Sequence, residues 1–179
     1  GGGGLAIPGN GISNNALSPL MSAPCWPDLI HLDLSKCSLG SEGGRHVGAL
    51  LCHAPSLKFL SLEGCGLKAA GGSALAQSLD FYWQSHLYSE SKPSFKDSIV
   101  PGSRIEILNL AKNLLGDRGA VPLLEAILLR NTTNRFFSDS APVQIWIRKL
   151  DLRNNSLGHA TARLLLSALK VGGGGGGAG

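Results

Sequence analysis

A chain of 179 residues has room for one domain of ordinary size, and its 43% apolar content is enough for a continuous core. Its net charge of +4 is modest and uneven, with 4 Lys/Arg against 6 Asp/Glu over residues 1–91 and 12 against 6 over residues 92–179. No apolar run approaches the roughly 20 residues of a membrane span, and no polybasic run or ladder of aromatics is present to stack bases, so nucleic acid is not an expected partner and the basic half reads as solvated surface.

The chain opens on the glycine run 1–4, and a second run starts at Gly172. Both are read as glycine-rich ends flanking a single domain over 5–171. After the first run, Leu5, Ile7, Asn10 and Ile12 form a partial version of a spacing that then recurs four times. Leu29, Leu32, Leu34, Cys37 and Leu39 are its first complete instance. Leu57, Leu60, Leu62, Cys65 and Leu67 follow, then Ile105, Leu108, Leu110, Asn113 and Leu115, then Ile147, Leu150, Leu152, Asn155 and Leu157. The Leu-x-Leu step has period two, which puts those side chains on one face of a short strand.

Each instance is followed by helical spacing. Glu42 to His53 points Val47, Leu50 and Leu51 inward, and Gly71 to Leu79 does the same with Ala74, Leu75 and Leu79. Asp117 opens a helix with Ala120, Leu123, Leu124, Ile127 and Leu128 inward; it is expected to cap that helix, with Pro122 in the first turn. His159 to Val171 carries Ala162, Leu165, Leu166 and Leu169. The pairs Gly43-Gly44 and Gly71-Gly72 read as turn glycines. The interval from Leu29 to Leu57 is 28 positions, but the next two are 48 and 42. The excess predicts loop insertions near 80–103 and 131–143, both on the same edge.

The residue that ends each strand stacks into a ladder of Asn10, Cys37, Cys65, Asn113 and Asn155. A donor there can satisfy buried carbonyls of its own turn and of the neighbouring one. The intervening strand residues point the other way and form columns. His31, Phe59, Ile107 and Lys149 make one; Asp33, Ser61, Asn109 and Asp151 the next; then Ser35, Glu63, Ala111 and Arg153; then Lys36, Gly64, Lys112 and Asn154. Exposed Phe59 and Ile107 among charged neighbours have the composition of an interface core with a polar rim.

The period near 28, with Leu39-Gly40-Ser41-Glu42-Gly43-Gly44 and Leu115-Gly116-Asp117-Arg118-Gly119-Ala120 after the ladder residue, resembles the ribonuclease-inhibitor-type leucine-rich repeats. Leu67 to Gly72 keeps only the second glycine of that signature, and Leu157 to Ala162 only the first. The resemblance implies an α/β fold: a right-handed solenoid of about five repeats, with a parallel sheet on the concave face and helices on the convex face. Members include ribonuclease inhibitors, activators of the Ran GTPase, sensor domains of innate immune receptors, actin-capping regulators and axonemal regulatory-complex subunits. They share a concave face that grips protein.

Chemistry points the same way. The sequence contains no Gly-x-Ser-x-Gly, no His-Glu-x-x-His and no phosphate-cradling loop, so no catalytic residue, cofactor or small-molecule substrate is expected. His46 and Cys52 are six positions apart, about 240° around a helix, and no second Cys/His cluster completes a metal set. Cys37 and Cys65 are explained by inward ladder positions, which suits a reducing, cytoplasmic compartment, and the resemblance to actin-capping and axonemal members implies a cytoskeletal or ciliary place within it. The expected function is a non-catalytic protein-interaction or scaffold module within a multi-subunit assembly. Its partner-binding surface is His31, Asp33, Lys36, Phe59, Glu63, Ile107, Asn109, Lys112, Lys149, Asp151 and Arg153. The alternative is a regulator of an enzyme, such as a Ran-type GTPase activator or a ribonuclease-inhibitor-like inhibitor.

Overall fold

A computed structural model describes residues 3–6, 26–51, 53–54, 56–90, 105–133 and 147–172. Five strands, β1 (Gly3–Ala6), β2 (Leu29–Asp33), β3 (Phe59–Ser61), β4 (Ile107–Asn109) and β5 (Lys149–Asp151), form one sheet in the order β1-β2-β3-β4-β5. All its pairings are parallel. Among the described residues four helices complete the units: α1 (Gly43–Leu51), α2 (Lys68–Glu90), α3 (Gly116–Thr133) and α4 (His159–Gly172). Each parallel step needs a crossover, and from β2 onward a described helix supplies it: α1 between β2 and β3, α2 between β3 and β4, and α3 between β4 and β5. Each of α1, α2 and α3 packs on the helix that follows it.

The core lies between the sheet and these helices. Leu32, Leu60 and Leu108 face each other across adjacent strands and are buried. Leu34, Leu62 and Leu110 line the same interior, as do Leu39, Leu67 and Leu115. From the helix side Val47, Leu75 and Leu123 close it. A buried Leu contributes on the order of 1.5–3 kcal/mol. Strands of three to five residues hold no such core alone, so the stack stabilises what the single unit cannot. In β1, Leu5 pairs with Leu32, which continues the leucine register; Asn10 lies outside the described residues.

Two expectations about the helices are corrected. α2 continues to Glu90 and α3 to Thr133, so the starts of both expected insertions are helical. The sequence has no Gly or Pro between Ser73 and Pro93, and none between Leu123 and Pro142, so nothing local stops either helix. The remainders, 91–104 and 134–146, lie outside the described residues. The glycine pairs are not in turns either. Gly43, Gly44, Gly71, Gly72 and Gly119 sit inside helices and are buried. A Cβ on Gly44 would overlap the carbonyl oxygen of Gly71, and one on Gly72 would come within 2.9 Å of the Gly119 carbonyl oxygen. These residues set how closely successive helices approach.

Pro122 lies in the interior of α3 rather than its first turn. Its missing N–H frees the carbonyl four residues back, that of Arg118. The Ser73 hydroxyl of α2 donates to that carbonyl at 3.1 Å, so the lost backbone bond is replaced from the neighbouring unit.

Candidate interaction surface

The strand pairing register puts His31, Phe59, Ile107 and Lys149 side by side, and Asp33, Ser61, Asn109 and Asp151 side by side. These rows lie on the sheet face turned away from the helices, because their neighbours Leu32, Leu60 and Leu108 are committed to the core. His31 and Phe59 stack with ring centroids 3.9 Å apart and planes 4° from parallel. His31 and Lys149 are exposed, while Phe59 and Ile107 are half-buried. The row therefore reads aromatic, aromatic, aliphatic, cationic across four strands.

The second row has a different job. Asp33 Oδ1 accepts the amide of Ser35 at 2.9 Å, Asn109 Oδ1 that of Ala111 at 3.1 Å, and Asp151 Oδ1 that of Arg153 at 3.1 Å. Each closes a turn two residues on, where the chain leaves its strand. Ser61 is buried rather than exposed, with its hydroxyl hydrogen-bonded to Ser35 at 2.7 Å and receiving Asn109 Nδ2 at 3.2 Å. Ala111 is buried as well. Asp33, Asn109 and Asp151 thus shape the face before they can touch a partner.

Ion pairs bind the outer rows. Lys112 Nζ meets Glu63 Oε1 at 2.7 Å, and Asn109 Nδ2 donates to Glu63 Oε2 at 3.2 Å. The Lys112 and Asn109 hydrogen bonds hold the Glu63 carboxyl below the usual carboxylate range. Arg153 clasps Asp151 through Nε at 3.0 Å and Nη2 at 2.7 Å, lowering the Asp151 pKa and raising its own. Lys58 and Glu106 pair across β3 and β4 at 3.5 Å. Lys149 and its neighbour Arg148 have no ion-pair partner among the described residues.

The last row, Lys36, Gly64, Lys112 and Asn154, shares a backbone feature that the leucine spacing does not reveal. All four have φ between 56° and 67°. Gly64 occupies that region without strain, and it is the position where the sequence could have signalled it.

Behind the face runs the ladder. Asn155 Oδ1 accepts the amides of Asn113 and Leu115 at 3.0 and 3.3 Å, and its Nδ2 donates to the carbonyls of Leu110 and Leu152 at 2.8 and 3.0 Å. Asn113 Oδ1 likewise takes the amides of Cys65 and Leu67 at 3.0 and 3.3 Å. Its Nδ2 donates to the carbonyls of Leu62, Leu110 and Ala111 at 2.7, 3.0 and 3.2 Å. Cys65 has only a thiol to offer, and it donates to the Leu34 carbonyl at 3.0 Å. Burial pushes that thiol up to about 12, so it stays protonated and able to donate. The Leu39 amide, at the position where Leu67 and Leu115 meet an asparagine oxygen, goes instead to the carbonyls of Cys37 and Cys65 at 2.8 and 3.1 Å. Cys37 is buried, and burial raises its pKa too.

Of the tryptophans, Trp26 packs partly buried against the core; the side chains of Trp83 and Trp146 lie outside the described ones. No group of three metal-ligating side chains occurs among the described residues, and no helix there is long and apolar enough to cross a membrane.

Residues 27–46 and 53–76 match the family described as Leucine Rich repeat. Those segments carry leucine-rich repeats. The chain is also 27% identical over 148 residues, 80% of its length, to centrosomal proteins of 78 kDa from Mus musculus and Homo sapiens. It spans 17% and 19% of those relatives' own lengths.

Proposed function

We propose that this chain is a non-catalytic protein-interaction module, of the ribonuclease-inhibitor type, serving a centrosomal or related cytoskeletal assembly in the cytoplasm. Sequential parallel strands joined by helices support a right-handed solenoid, with the strand face as its concave side. The observation that carries the reading is the row His31, Phe59, Ile107 and Lys149. It sets a stacked aromatic pair and an aliphatic side chain beside an exposed cation, on a face held rigid by its own hydrogen bonds. Apolar anchors with a charged rim are what protein partners grip. The similarity to centrosomal proteins supports the choice of assembly.

The test is cosedimentation of the full chain with isolated centrosomes. The parent chain is retained, and Phe59→Glu and Lys149→Glu each lower retention about tenfold or more with unchanged circular dichroism. Retention equal to the parent in both variants overturns the assignment of the face. Stimulation of GTP hydrolysis by a candidate GTPase would instead favour the enzyme-regulator alternative.

A further inference from the structure

The units are not equal at their open side. Counting ten positions from the ladder residue, Leu75 and Leu123 are buried where Leu165 is 36% exposed; one position on, Ala76 and Leu124 are buried where Leu166 is 59% exposed. After the ladder residue, Leu67 and Leu115 are 0% exposed where Leu157 is 36% exposed. These positions face the following unit: a Cβ on Gly48, the α1 counterpart of Leu166, would overlap Ser78 of α2. Ala162 keeps the small size of Gly44 and Gly72, where successive helices touch.

The backbone repeats the message. Leu62 and Gly64 donate their amides to the carbonyls of Asn109 and Ala111 at 2.8 and 2.9 Å, and Leu110 and Lys112 donate to Asp151 and Arg153 at 2.8 and 2.9 Å. In β5's unit the same donors are Leu152 and Asn154, with no acceptor among the described residues. Ion pairs also cross between units, as Lys58 to Glu106 does from β3 to β4. At the same strand-start position β5's unit presents Arg148, with Lys149 beside it, and both are exposed.

We propose that this end is a docking surface for one further leucine-rich strand–turn–helix unit, its strand parallel to β5. That unit carries an asparagine to take the Asn155 and Leu157 amides, a small residue or helix start against Ala162, and an acidic residue opposite Arg148. Donor register, apolar size and charge all specify the same occupant, as a continuation of the β3–β4 and β4–β5 interfaces.

The experiment appends a copy of residues 105–133, which bears Glu106 and Asn113, after Gly179 of the full chain. A Gly-Ser tail of equal length is the control. Hydrogen exchange at the Leu152 and Asn154 amides slows at least tenfold in the extended chain relative to the control. Leu166→Lys removes the slowing, and Glu106→Lys in the appended copy alone diminishes it at low salt. Equal exchange in extended and control chains overturns the proposal. So does a concentration-dependent dimer of the unextended chain that protects the same amides, because a second copy is then the occupant.

Discussion

The Thr161 hydroxyl donates to Asp117 Oδ1 at 2.6 Å, across the boundary between two units. The same carboxylate accepts the amides of Gly158, Ala160 and Thr161 at 2.7, 3.1 and 3.3 Å. Asp117 lies in the first turn of α3, yet the helix start it satisfies is that of α4. The expectation that it caps its own helix is therefore corrected. Bonds from Thr161 and Gly158, in that order of weight, lower its pKa to about 2.

That lowered pKa gives a signed pH dependence. A carboxyl ionises near 3.9 in the unfolded chain, so the Asp117 contribution is fully present above about pH 4 and is lost as pH falls toward 2. Thermal midpoints measured across this window should fall with pH, less steeply in Asp117→Asn. Some slope remains in the variant, because Glu63 and Asp151 are shifted in the same direction. At neutral pH, exchange at the Ala160 and Thr161 amides should quicken in Asp117→Ala, while the β2–β3 amides are unaffected. Equal pH slopes for parent and Asp117→Asn would contradict this role.

Asn113 makes five buried hydrogen bonds, three to the preceding unit and two within its own turn. Asn113→Ala strands buried donors and acceptors, at about 1–3 kcal/mol for each group left unsatisfied, so urea denaturation should show a loss of roughly 3 kcal/mol or more. Asn113→Cys retains one donor, as Cys65 does at the equivalent position, and should lose measurably less than alanine.

Gly44 and Gly66 separate two reasons for glycine. At Gly44 a methyl collides with backbone, which no rotamer can relieve, so Gly44→Ala should cost about 1–3 kcal/mol. Gly66 has φ of 69° and nothing within 4 Å of an added Cβ. Gly66→Ala should cost only the left-handed backbone penalty, about 1 kcal/mol, and Gly66→Asn less. Equal losses in Gly44→Ala and Gly66→Ala would refute the close helix contact.

Leu114 occupies the Gly66 register with φ of 55° and is 62% exposed. It has the backbone strain without compensating burial. Leu114→Asn should raise stability by roughly 0.5–1 kcal/mol in denaturant titration, since Asn tolerates this region well.

Periodicity alone carried much of the architecture. Leu-x-Leu at fixed offsets from a Cys or Asn determines which side chains enter the core, because a one-residue slip would expose every leucine. From that pattern follow the short strands, the intervening helices and the row His31, Phe59, Ile107 and Lys149 as neighbours, while the parallel sheet is what the family resemblance implies. The strand rows and the ladder were legible across units, but contacts between the helices of neighbouring units were not. Asp117 and Thr161 are 44 positions apart, Ser73 and Arg118 45, and Gly44 and Gly71 27. Local spacing describes one unit at a time, so it assigned Asp117 to its own helix and the glycines to turns. Only the stacked structure decided which helix each cap serves, where backbones touch, and that Leu165 and Leu166 of α4 stay exposed. Those outcomes depend on the neighbour a surface meets, and the neighbour is set by tertiary packing.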